Sequence, residues 1–361
     1  MKAGKSLQEL ALEIDRQNKV KKDYIASTQD MVMTIEPNHL VSEGNGKLNY
    51  IPKLGLPGLE AFTINNIAHD QIGAKLEIPS KYYDRMLEKE PELLADNVNT
   101  WFRNKPSKRM IRTLDGTTRA FLSDKYRRID NFEIAQAVLP MIGELEDSKV
   151  ESCELTESRM YIKVLNPKVQ TEIVKGDVVQ SGILISNSET GMGSVTVMPL
   201  VMRLVCTNGM IASDSGQRKF HMGRANEVDG GFEVYRNETL MADDKAFMMK
   251  LQDIVKATID IVHFERIVAQ MKLGAETKIT GDVPKVVELT AKNYGLGERE
   301  SEGVLNHLIR GGDLSLYGLA NAVTRHAQDV TSYDRSTELE MTGWNILSMP
   351  RNEWAKLNKA A

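Results

Sequence analysis

Residues 178–206 read VVQSGILISNSETGMGSVTVMPLVMRLVC, two β-rich runs joined by a short stretch that holds Gly191 and Gly193. Valine is dense in both runs, joined by isoleucine in 178–185 and by a threonine in 194–206, and the glycines between them mark a turn. A third run, MYIKVL at 160–165, comes just before them. Together they predict an antiparallel sheet in the middle of the chain, with the helical pattern at 132–142 (FEIAQAVLPMI) packed on one face.

Upstream, RMIRTLDGTTRAFLS at 109–123 predicts a hairpin turning at Asp115-Gly116. Its alternation puts Arg109 with Ile111 on one face and Met110 with Arg112 on the other. Residues 65–99 carry helical spacing, with Pro79 and Pro91 placed to open two helices. The segment 34–64 is dense in glycine and proline, with short strands such as 47–51 between the breakers. Ser6 and Glu9 make a capping box for a helix in the first thirty residues, which ends in the charged stretch Lys19, Lys21, Lys22 and Asp23.

Beyond Glu238 the pattern becomes helical. One long helix is expected over 238–272 and shorter ones at 283–294, 298–310, 314–330 and 338–348. Gly311-Gly312 is placed to end one of these and Asp313 to cap the next. The expected class is α+β: a central antiparallel β-sheet with packed helices, followed by a helical C-terminal part. Composition divides the chain into a helical, turn-rich region at 1–100, an α+β core with a basic segment at 101–230, and a helical region at 231–361. The last boundary falls near Gly230-Gly231.

Bulk properties exclude several classes. No run of eighteen apolar residues occurs in the 361, so no transmembrane helix is expected, and the first residues lack the apolar core of a secretory signal. Two cysteines, Cys153 and Cys206, are too few for a disulfide framework and fit a reducing cytoplasm. The six histidines are scattered, and none pairs with another histidine or a cysteine at ligand spacing. No metal and no cofactor are therefore expected. A phosphate-binding GxxxxGK[ST] loop and a GxGxxG fingerprint are both missing from the sequence.

Charge is unevenly spread. Residues 101–128 hold nine basic side chains, Arg103, Lys105, Lys108, Arg109, Arg112, Arg119, Lys125, Arg127 and Arg128, against Asp115 and Asp124. That stretch is +7 in a chain of net −4, which leaves −11 for the rest. Trp101, Phe102, Phe121 and Tyr126 are interleaved. Cations for phosphates and rings for bases are what single-stranded nucleic acid requires, and guanidinium both pairs with phosphate and stacks on bases. Arg112, Arg119 and Arg127 are the leading candidates, with Tyr126 as a stacking platform and Trp101 as a helix-end core residue. A second basic cluster, Lys219, His221 and Arg224 around Phe220, is a candidate for the same groove. The competing explanation is a solvated face neutralised by nearby carboxylates.

Cys206, Asn208 and His221 resemble a nucleophile site, since a thiolate beside an imidazole can attack an acyl carbon. Yet Cys206 closes an apolar run where a structural thiol is the usual outcome, and no catalytic residue is assigned.

Five stretches carry a resemblance: RTLDGTTRAFLSDKYRRIDN (112–131), ILISNSETG (183–191), LVCTNGM (204–210), KFHMGR (219–224) and DLSLYGLANAVTRHA (313–327). Their order resembles the phage- and plasmid-borne family known as domain of unknown function 932, over roughly residues 76–330. The resemblance implies a mobile-element origin and a host-cytoplasmic setting, and it says little about activity. The order of strands and helices is also similar, at the level of fold alone, to phage single-strand annealing proteins. The expected function is binding or annealing of single-stranded DNA in replication or recombination, without catalysis and as a homo-oligomer. The alternatives are a factor that blocks a host defence protein and an enzyme built on Cys206 and His221.

Overall fold

The structure is a computed structural model that describes residues 1–42, 48–126, 128–144, 148–213, 237–258 and 261–361. It comprises a smaller unit, residues 12–129 with 188–193, and a larger one, residues 1–11, 130–187 and 194–361. These units divide the chain elsewhere than at residues 100 and 230; Gly230-Gly231 lies outside the described residues. Helix α1 (Leu7–Val20) contains the first boundary, and its capping box is present: the Ser6 amide donates to Glu9 Oε2 at 2.8 Å and the Glu9 amide to Ser6 Oγ at 3.2 Å.

The smaller unit is a six-stranded sheet in the order β1-β5-β6-β4-β3-β2. Its strands are β1 (Lys22–Ser27), β2 (Val32–Ser42), β3 (Leu48–Gly55), β4 (Phe62–Ile64), β5 (Lys108–Leu114) and β6 (Thr117–Ser123). All neighbours run antiparallel except β4 and β6. Asp115 and Gly116 join β5 to β6 with φ of 49° and 76°, the left-handed pair of a tight hairpin turn. Helices α2 (Asn66–Lys75), α3 (Ser80–Lys89) and α4 (Pro91–Asn104) lie between β4 and β5 in the chain. Ile72, Leu94 and Phe102 from the helices pack with Leu54, Ile111 and Phe121 from the sheet. The charged stretch after α1 is strand β1 rather than a helix end. Its charge masks the alternation, because Asp23 is satisfied by pairing instead of by solvent.

The larger unit holds a five-stranded antiparallel meander in the order β11-β10-β9-β8-β7. The strands are β7 (Lys149–Leu155), β8 (Met160–Glu172), β9 (Val178–Asn187), β10 (Thr196–Arg203) and β11 (Asn208–Ile211). Helix α5 (Asn131–Glu144) precedes it in the chain. The stretch 178–206 folds as expected, with β9 and β10 pairing from Val179↔Arg203 to Ser186↔Thr196. However, β10 stops at Arg203. Leu204 and Val205, 37 % and 61 % exposed, sit in the turn to β11, whose Thr207 has a φ of 52°.

The C-terminal part is helical: α6 (Asn237–Thr258), α7 (Ile261–Glu276), α8 (Val283–Tyr294), α9 (Glu298–Gly311), α10 (Leu316–His326), α11 (Tyr333–Leu347) and α12 (Arg351–Ala360). The expected single helix over 238–272 is two, α6 and α7. Gly312 ends α9 with a φ of 69°. The cap of α10 is Ser315, whose Oγ accepts from the Gly318 amide at 3.0 Å, rather than Asp313. Val268, Leu308, Tyr317, Leu339 and Trp344 form the main core with Val179 and Val201 of the sheet.

Candidate nucleic-acid interface

Arg112 is fully buried in β5. It lies directly across from Asp23 of β1, and the guanidinium makes a two-pronged pair with that carboxylate, Nε to Oδ1 at 2.9 Å and Nη2 to Oδ2 at 3.1 Å. Its Nη1 donates to the backbone oxygen of Glu189 at 2.9 Å. Arg119, also buried, puts Nη2 2.6 Å from Glu189 Oε2, and Lys21 Nζ lies 3.5 Å from Oε1. The exposed Arg128 reaches Asp23 Oδ2 at 3.2 Å. Removing such charges from water is costly, and close pairing with fixed geometry offsets that cost. Arg112 and Arg119 are thus corrected from phosphate ligands to members of an internal ion network. Arg112 is wholly shielded from water and Arg119 largely so, and a phosphate would have to displace a carboxylate.

The acid that closes this network comes from 188–193. Gln71 Nε2 donates to the Thr190 oxygen at 2.7 Å while its Oε1 accepts from the Phe121 amide at 2.7 Å. Tyr126 donates from its hydroxyl to the Ser188 oxygen at 3.3 Å and packs beside Met110, Ala120 and Leu122. Tyr126 is therefore an anchored, half-buried ring and not an open platform. Sequence reasoning missed Lys21, Asp23, Gln71 and Glu189. Only the pairing of β1 with β5 reveals Asp23, and nothing local marks Glu189.

The remaining cations are distributed differently. Arg103 and Lys105 stand exposed at the end of α4, Lys108 is exposed at the start of β5, and Lys125 is exposed just after β6. Arg109↔Ser123 pairing brings the last two to the open end of the hairpin, opposite its turn. Trp101 is 37 % exposed, with Lys105 Nζ 5.2 Å from the ring centroid. The expectation of a core tryptophan is overturned, since Phe102, fully buried and stacked on Phe121 at 5.7 Å, fills the core instead. Arg109 is half-buried over the Phe121 ring at 5.9 Å; burial pushes its pKa down, opposed by the charge of Asp124. Arg127, Lys219, His221 and Arg224 lie outside the described residues.

Of the set Cys206, Asn208 and His221, only the first two lie among the described residues. Cys206 is half-buried in the β10–β11 turn, with Arg203 Nη1 3.4 Å from Sγ. Asn208 is buried, and its amide donates to Asn321 Oδ1 at 3.3 Å and Thr324 Oγ1 at 2.5 Å, which commits it to packing. Both cysteines are free, and Cys153 is fully buried, with burial pushing its thiol up to about 12.

Two sheets, a C-terminal helical array and a hairpin neutralised from within define an α+β protein. Its sequence from residue 120 to 349 matches the family described as Domain of unknown function (DUF932), and the chain belongs to that family. The match begins within β6, so Arg103, Lys105 and Lys108 precede it. No curated protein and no solved structure matches the chain.

Proposed function

We propose that this chain binds single-stranded nucleic acid, DNA in the first instance, at the open end of the β5–β6 hairpin. One observation carries the reading: exposed Trp101 shares that region with Arg103, Lys105, Lys108 and Lys125, none of which forms an ion pair with a described residue. Unpaired cations lose little when they meet phosphate, and an exposed indole face accepts any base. A role in replication or recombination, a phage origin and a homo-oligomeric state belong to the same proposal. Self-association has two open sheet edges to draw on, β1 and β2.

Gel-shift titrations with single- and double-stranded oligonucleotides test the reading. Retention of the single strand is expected at low salt, and it should weaken when Lys105, Lys108 and Lys125 are changed together to alanine. A wild-type chain that shifts neither oligonucleotide at about 50 mM salt would overturn it.

A further inference from the structure

The histidines look unrelated in sequence, yet two of them converge with a carboxylate in the larger unit. Among the described residues, His307 of α9, His326 at the end of α10 and Asp329 just beyond it place one ligand atom each within 4.8 Å of one another. His307 Nε2 is 2.6 Å from Asp329 Oδ2. His326 Nδ1 is 3.5 Å from the same oxygen, is buried, and makes no hydrogen bond. The imidazoles are 16 % and 13 % exposed while the Asp329 side chain is 45 % exposed, so the set has an inner wall and an outer opening.

We propose that His307, His326 and Asp329 bind a divalent transition-metal ion. Two imidazole nitrogens and one carboxylate suit Zn²⁺ and its first-row neighbours. Metal–ligand bonds of roughly 2.0–2.1 Å in a tetrahedron put the ligand atoms about 3.3 Å apart. The His326–Asp329 spacing of 3.5 Å is close to that value, and the His307–Asp329 hydrogen bond lengthens as the ion replaces its proton. The three ligand atoms, now within 4.8 Å of one another, draw in around the ion. The unpartnered Nδ1 gains the partner that a buried ring nitrogen otherwise lacks.

The surroundings are built for the rings. Gly303 lies one helical turn before His307, and a Cβ there would overlap Nδ1 and Cε1 of His326. The glycine thus leaves the imidazole its place against α9. Arg325 Nη1 stands 3.6 Å from Asp329 Oδ1 and steadies the second carboxylate oxygen. Three protein ligands leave a coordination position for water or an external group. His307 also lines a cavity of about 60 Å³ with Arg203, Cys206, Asp313, Asn321 and Arg325, ample for a few waters.

The test uses the full, tag-free chain stripped with a chelator and titrated with Co²⁺, followed by displacement with Zn²⁺. Saturation at about one Co²⁺ per chain is expected, with visible d–d absorption of a low-coordinate nitrogen–oxygen site that Zn²⁺ abolishes. His307→Ala and Asp329→Asn should each weaken binding at least about tenfold. Asp329→Asn keeps the shape of an exposed side chain, so its thermal transition without metal should match the wild type. His263→Ala, on α7, should bind as the wild type does. The proposal fails if the wild type shows no saturable binding at about 100 µM Co²⁺ or Zn²⁺. It fails equally if binding survives unchanged in both His307→Ala and Asp329→Asn.

Discussion

Arg119 and Glu189 meet at 2.6 Å although 70 residues separate them in the chain, and neither is open to solvent. Glu189 also receives Lys21, while its backbone oxygen receives Arg112. Within a segment that looks like a basic face in sequence, Arg112 and Arg119 are thus neutralised from two distant places, and they tie strand β1 and residue 189 to the hairpin.

Loss of one member should therefore be severe. Arg112→Ala leaves the Asp23 carboxylate, 12 % exposed, without its two-pronged partner. A destabilisation of about 3–5 kcal/mol is expected, the range for breaking a buried pair. Chemical denaturation followed by a probe in the smaller unit checks it. Lys108→Ala and Lys125→Ala, on exposed side chains, should stay within about 0.5 kcal/mol of the wild type.

Nucleic-acid binding should follow the opposite division. Four exposed cations on a single strand give a slope of log K against log salt near −3. Changing Lys105, Lys108 and Lys125 to alanine should flatten it to about −1 while the melt is retained. Trp101→Ala should weaken binding by about 1–3 kcal/mol if a base stacks there. An unchanged slope in the triple variant would move the contact surface elsewhere.

His69 predicts an acid-side loss of stability in the smaller unit. Burial lowers its pKa from 6.5 to about 4, and its Nδ1 shares a 2.9 Å hydrogen bond with the Tyr83 hydroxyl. The unfolded chain takes up the proton first as pH falls. The contribution is full above pH 6.5, declines between 6.5 and 4, and levels off below. The span corresponds to roughly 3 kcal/mol at most. Denaturation midpoints between pH 7 and 4.5 should show a shallower decline in His69→Gln than in the wild type.

The two thiols should differ in reactivity. Cys153 is fully buried and its pKa is raised to about 12, so a thiol reagent should reach it only after unfolding. Cys206, half-buried in its turn, should be modified first in the native chain. Mass analysis of a Cys206→Ser variant, with the remaining thiol inert until denaturant is added, checks this.

Much of the fold was legible because local chemistry and global packing agree. The Ser6–Glu9 cap, the Asp115-Gly116 turn, Pro91 at the start of α4 and the apolar spacing of α8 and α9 all point one way. What stayed hidden depends on pairing between remote segments. β1 has charged residues because β5 neutralises them, and Leu204 and Val205 read as strand although the chain has already turned. The site suffered most. Charge density marks where cations are, not whether carboxylates from elsewhere have reached them, so Arg112 and Lys108 look alike until Asp23 is placed.

The contribution of 188–193 to the smaller unit also sets an order on synthesis. Residues 12–129 leave the ribosome with Arg119 still lacking its acid, since Glu189 is made 70 residues later. The nascent chain must hold that guanidinium hydrated until most of the sheet of the larger unit has been translated. A fragment that stops at residue 129 would be arrested in that unfinished state, and supplying the missing carboxylate in trans should be needed to complete it.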